Sequence, residues 1–214
     1  MKYHVKKLKD RPLSWSSIAS WEFNKDSWTR KYLYGIVEES NDKMTFGKVI
    51  GEKIATDPTY LPDLPRYEKF EHKLEGKISD IPLLGYLDSF DSKTCNFLEY
   101  KSSSNEKRWH QKSAEKHGQL DFYFLLIYLN YQKKPEEVSC HLHYIPVQET
   151  VDFTTEPFTT KMEVTPDALI QSFPVKKTMK DILSFAKYLK DTYAAMERHA
   201  LHLSEDMFII IEES

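Results

Sequence analysis

The chain has 214 residues, 40% hydrophobic and 14% aromatic, with only six glycines and ten prolines, which suits a globular domain with a sizeable core and excludes low-complexity and collagen-like classes. A formal net charge of −3 lacks the basic excess of a dedicated nucleic-acid-binding module, but an enzyme whose acidic site offsets a basic groove fits it. No apolar run approaches the roughly 18 residues of a membrane span, the charged start MKYHVKKLKDRPLSW has no apolar signal segment, and two cysteines alone make no disulfide framework, zinc finger or four-cysteine cluster.

Taken in chain order, residues 13–35 read as a helix. Ser14 or Ser16 can cap it, Ile18, Trp21, Trp28, Tyr32 and Leu33 recur at roughly helical spacing, and Asn24, Lys25 and Asp26 suggest a break. A second helix covers 44–55, with Phe46, Val49, Ile50 and Ile54 on its apolar side, and the proline-containing stretch 57–65 is a loop. The period then changes: 70–78, 83–90 and 96–101 read as strands, with Asp91-Ser92-Lys93-Thr94 as the hairpin turn between the last two. A helix follows from about 106 or 111 to 132, and it includes the apolar run 122–129. Further strands are expected at 138–146 and 150–164, the second interrupted near Pro157. Cys95 and Cys140 are expected in strands as small buried hydrophobes. Thr165-Pro166-Asp167-Ala168 looks like a helix start, a long amphipathic helix covers 179–203, and 207–211 reads as a short edge strand. The order describes an α/β protein with a mixed central sheet flanked by helices.

One hairpin carries chemistry. In GYLDSFDSKTCNFLEYKSSS, Glu99 and Lys101 lie two apart on a strand, on one face and about 7 Å apart. A two-residue turn at Ser92-Lys93 puts Asp88 opposite Phe97 and diagonal to Glu99, roughly 5–8 Å away. A slip of one residue would send Asp88 to the other face. Two carboxylates this close repel unless a positive charge lies between them. A hard cation such as Mg²⁺ supplies it, taking one or two carboxylates plus waters and phosphate oxygens, and Lys101 is suited to stabilise developing negative charge. The triplet by itself fits a solvated strand face with a cross-strand ion pair better. Ser102 to Ser104 offer hydroxyls to a phosphate, and Lys107, Arg108, Trp109, Lys112 and Lys116 form a basic stretch able to hold a single strand by charge and stacking. The same basic stretch also fits a solvated helix face. His141 and His143 share a strand face but make only two ligands, short of a zinc site.

The surroundings of the triplet resemble the PD-(D/E)xK nuclease superfamily, in its RecB-like branch. LSWSSIASWEFNKDSWTRKYLYG is similar to that branch's opening segment. FGKVIGEKIA resembles its Gly-x-x-x-His-Glu helix, the hairpin its Gly-x-x-Asp and (Asp/Glu)-x-Lys core, and Gln119 with Tyr123 its Gln-x-x-x-Tyr helix. The resemblance implies a restriction-endonuclease-like fold in a single domain spanning 1–214, with N-terminal helices at 13–56, a catalytic core at 68–164 and C-terminal helices at 165–206. It implies Mg²⁺ or Mn²⁺ held by Asp88, Glu99 and the main-chain carbonyl of Tyr100, with Lys101 as the catalytic lysine. Gln119, Tyr123, Ser102, Arg108 and Lys112 would contact substrate. Gly51 stands where many members carry a ligating histidine, so Glu52 is expected as the third acid. Leu87 stands in place of the literal proline before the hairpin aspartate. Asn24 stands where some members have the first of four cysteines, so no iron–sulfur cluster is expected. The function implied is hydrolysis of DNA phosphodiester bonds, single- or double-stranded, by an intracellular, cytoplasmic exonuclease of recombination, repair or phage DNA processing. Such an enzyme could work within a larger recombination or replication complex and without a membrane. The alternative is a catalytically inactive member serving as a DNA-binding or assembly subunit.

Overall fold

The computed structural model describes residues 8, 11–36, 42–152, 154, 156, 159–167 and 169–212, with backbone alone at 42, 44, 152, 159, 160 and 204–212. Ser14 accepts the Ser17 amide and starts α1 (Trp15–Phe23). Asn24 breaks the helix as expected, because its side chain accepts the Asp26 and Ser27 amides and caps α2 (Lys25–Trp28), which continues into a π turn at Thr29–Leu33. The Trp28 indole nitrogen donates to Ser17 Oγ at 3.0 Å, tying the two halves together. Helix α3 (Asp42–Thr56) buries Ile50 and Ile54 against Leu64, Ile145 and Val147.

The sheet has six strands: β1 (Lys69–Ile78), β2 (Ile81–Phe90), β3 (Phe97–Ser103), β4 (Cys140–Asp152), β5 (Thr159–Val164) and β6 (Gln171–Val175). Their order is β1-β2-β3-β4-β5, with β6 also on β4, and β3–β4 is the parallel pair among antiparallel ones. Parallel neighbours need a crossover, which α4 (Gln111–Glu115) and α5 (Gly118–Tyr131) supply. In α5, Leu120 and every residue from Phe122 to Ile127 are buried, as befits a helix apolar all round at the centre of a core. It packs so closely that a Cβ at Gly85 would stand 2.6 Å from Leu126 Cδ1. A buried ion pair, Lys177 Nζ to Asp121 at 2.7 Å, fastens its first turn to the segment leading into α6 (Met179–Glu212). No helix among the described residues is long and apolar enough to cross a membrane.

Five sequence expectations differ from the structure. The β2–β3 connection is a six-residue loop rather than a two-residue turn: the Asp91 amide donates to the Asn96 carbonyl at 2.9 Å, and the Asp91 carboxylate takes the Lys93 amide and the Thr94 hydroxyl. Cys95 is therefore buried in a loop at φ 63, not in a strand. Strand β4 runs unbroken through Pro146, its first half pairing β3 and β6 and its second half β5, so the expected gap before 150 is absent. Pro166 and Asp167 lie in a turn, Asp167 at φ 55, and lead to β6 instead of a helix. Finally, 207–211 continues α6 as helix. Pro157 and Ala168 lie outside the described residues.

Candidate active site

The pairs Phe90↔Phe97 and Ser89↔Leu98 fix the β2–β3 register, and the next step brings Asp88 opposite Glu99. The sequence expectation was Asp88 opposite Phe97, two residues away. An even shift preserves the face of every side chain, so the longer loop turns a diagonal contact into a direct one. The ladder stops here: the Tyr100 amide donates to Asp88 Oδ2 at 2.8 Å instead of to a main-chain carbonyl. A strand residue's N–H and C=O point to one side, so the Tyr100 carbonyl also faces Asp88.

Glu99 is 1% exposed. Neither of its oxygens receives a well-aligned hydrogen bond, although the Lys101 ammonium lies 2.6 Å from Oε1 as an ion pair. Lys101 Nζ also donates to Gln119 Oε1 at 2.8 Å, and Gln119 Nε2 donates to the Tyr123 hydroxyl at 2.7 Å. The result is a chain of contacts from the buried acid on β3 to the body of α5. Burial, then the adjacent Asp88, push the Glu99 carboxyl up to about 8. Burial likewise raises Asp88, offset by Lys101 and the Tyr100 amide. Burial alone would weaken the Lys101 ammonium, but Glu99 and Asp88 together outweigh it and hold the lysine charged. The nearby His117 is pushed down to about 4 by burial and by the Lys101 charge, so it is neutral near pH 7.

These groups open on a cleft of about 360 Å³ between α3 and the sheet, lined by Gly47, Lys48 and Gly51 of α3, Glu71, Asp88, residues 99–102 and Gln119. The expected Glu52 is not among them. It is exposed, because α3 presents positions 47, 48, 51 and 55 to the cleft and the next residue is rotated about 100° away. Ser102 lines the cleft, whereas Arg108 and Lys112 do not: both are exposed, with the Arg108 guanidinium over the Trp109 ring at 5.8 Å. Tyr123 is buried behind Gln119. Two charged lining residues escaped the sequence reading. Lys48 sits one turn before the Gly51 position that was singled out, and helical spacing could have found it. Glu71 had no such signal. Burial and the proximity of Asp88 raise its carboxyl.

The donor set fits a hard divalent cation. Two adjoining carboxyls, one with an oxygen that no donor satisfies, are what such an ion takes up, and Mg²⁺ typically uses one or two carboxylates with waters completing its shell. Among the described residues, no three His, Cys, Asp or Glu side chains converge to enclose a metal ion, so the set does not resemble a closed structural zinc site. Histidines elsewhere, at His141, His143 and His199, do not compete. His141 and His143 share a face of β4 with ring centroids 6.1 Å apart, and burial pushes His143 down to about 4. His199 bonds Thr29 Oγ1 at 2.8 Å and packs on Trp21 and Trp28.

Solved exonucleases share this fold. The chain is similar to the crystal structure of LHK-Exo in complex with dAMP, at a TM-score of 0.55 and 11% identity, over 97% of this chain and 98% of that one. It is also similar to a phage related exonuclease from Haemophilus somnus 129PT, at a TM-score of 0.50 and 12% identity, over 94% and 92% of the two chains. No protein-family model matches the sequence, and no curated protein does.

Proposed function

We propose that the protein is a nuclease that hydrolyses DNA phosphodiester bonds with Mg²⁺ or Mn²⁺. The observation that carries this reading is the junction of β2 and β3, where a buried acid, Glu99, and a half-buried one, Asp88, adjoin a charged lysine, Lys101, in an open cleft. The likeness in fold to two exonucleases, one of them solved with dAMP, supports an end-processing enzyme.

Asp88, Glu99 and the Tyr100 carbonyl would hold the cation. When bound, it would supply Lewis acidity toward the phosphate and lower the pKa of a water. Glu99 would give up its proton on binding, which turns a neutral buried acid into a ligand. Lys101 would stand beside the scissile phosphate and stabilise the negative charge that grows on its oxygens. Gln119 would act on Lys101, since its oxygen aims the ammonium and its amide is fixed by Tyr123. Lys48 and Ser102 line the cleft where a phosphate backbone would enter.

End-labelled single- and double-stranded DNA, incubated with purified protein and Mg²⁺ or Mn²⁺, tests the reading. Degradation that requires the cation and drops by about 10²–10³-fold in Lys101→Ala is the expected result. Activity that survives Lys101→Ala and Asp88→Asn would sink it, and DNA binding without hydrolysis in the wild type would indicate an inactive binding subunit.

A further inference from the structure

We propose that Glu71 is a third acid of this cleft: a positioning residue that accepts hydrogen bonds from the water shell of the cation held by Asp88 and Glu99. The proposal rests on the cation-dependent reading above and extends it to a residue on another strand.

Glu71 sits inside β1 at φ 46, a left-handed conformation that costs any residue but glycine. The β1–β2 ladder keeps one register from Lys69↔Phe90 to Ile78↔Ile81, and the pair missing from it is Glu71 with Asp88. The kink has a visible consequence. Residues two apart on a strand normally share a face. Here Phe70 packs on the α3 side with Ile50, Ile54 and Ile145, whereas His72 stacks on Phe90 and bonds the α5 residue Tyr131 at 3.0 Å. The chain therefore changes face at Glu71, and the turn aims its side chain into the cleft lined by Asp88 and Glu99. Glycine would take this backbone freely, yet a glutamate stands there.

An independent observation points to a ligand in the same place. Glu99, 1% exposed, lines the same cleft, and neither of its buried carboxyl oxygens has a hydrogen-bond partner beyond the Lys101 ion pair. Glu71 does not converge with Asp88 and Glu99 into a three-ligand cage, so its reach toward the ion passes through water. Mg²⁺ keeps several waters when two carboxylates hold it, and residues that bind such a shell typically govern affinity by about 10–100-fold. Lys48, on the opposite wall, and Lys101 balance part of the added negative charge.

Mn²⁺ titration followed by calorimetry and by electron paramagnetic resonance tests this without recourse to catalysis. The variants are Glu71→Gln, Glu71→Gly and, as a reference for loss of the site, Asp88→Asn. Wild-type protein is expected to bind one Mn²⁺, and Glu71→Gln to bind it about tenfold or more weakly. Glu71→Gly is expected to lose affinity as well while melting at a higher temperature than wild type without metal, because glycine relieves the left-handed residue. If both Glu71 variants bind Mn²⁺ within about twofold of wild type while Asp88→Asn loses it, Glu71 only shapes the strand; the proposal is overturned and the cation site stands. If wild type binds no Mn²⁺, the cation-dependent reading fails and this proposal fails with it.

Discussion

At the residue scale, Glu99 is where function and stability pull apart. A buried carboxyl beside another acid, with an oxygen no donor reaches, is a poor choice for a metal-free fold. Glu99→Gln removes the titration and keeps the shape. Its expected outcome is a higher Tm than wild type at pH 8 without metal, together with loss of Mn²⁺ binding and of hydrolysis; a thermal melt and a Mn²⁺ titration on the same preparation check it. Gln119 makes the opposite case, a residue placed to act through another. Gln119→Leu strips Lys101 of its carbonyl partner and leaves the ammonium tethered by the Glu99 ion pair alone. Because the ammonium keeps its place but loses its aim, such a change is expected to lower kcat by about tenfold with KM nearly unchanged, since an interaction felt mainly in the transition state is lost. A rise in KM at constant kcat would instead assign Gln119 to substrate binding.

At the scale of elements, the site depends on where α5 begins. Gly118 is its first residue, and a Cβ there would stand 2.3 Å from the rigid Trp15 indole. Gly118→Ala must push helix and ring apart, and Gln119 is the next residue. The expected cost is about 1–3 kcal/mol, a Tm fall of roughly 2–12 °C in a chain of this length, with kcat lowered as well because Lys101 loses its aim. Most of this frame was legible in the sequence. A serine cap at Ser14 or Ser16, the break at Asn24, the β1–β3 meander and the all-apolar α5 each follow from spacing and composition. What could not be read was set by tertiary contacts or by the sign of a backbone angle. The β2–β3 register depends on a loop closed by Asp91 and on Cys95 at positive φ, and only the even size of the error left Asp88 on the right face. Strand β6 has a proline and little alternation, so its pairing with β4 outweighs its weak local preference. Glu71 reads as an ordinary strand residue because nothing in Phe70-Glu71-His72 announces a left-handed turn. Glu52 was expected from its place next to Gly51, but a single residue on a helix is enough to leave the cleft.

For the whole molecule, the buried acids and buried histidines act on stability in opposite directions, and pH separates them. His117 and His143 are held near 4, below the ordinary 6.5. The unfolded chain therefore binds more protons between those values, and stability rises with pH up to about 6.5. Glu99 is held near 8, above its ordinary 4.5, so the folded chain binds the extra proton and stability falls as pH climbs from 4.5 to 8. Below 6.5 the two trends oppose each other; between 6.5 and 8 the loss from Glu99 is left uncovered. One proton over that window amounts to roughly 2 kcal/mol, or a Tm lower by roughly 4–8 °C for a chain of this size. Metal-free protein is expected to show this fall in a series of thermal melts from pH 6.5 to 8. Glu99→Gln should flatten it. Saturating Mn²⁺ should reverse most of it, because the cation binds only the ionised acid and stabilises the fold that holds it. A wild-type Tm that stays level across the window, or a Glu99→Gln protein that falls as steeply, would show that Glu99 is not the group storing the proton, and with it would go the account of a neutral acid waiting to become a ligand.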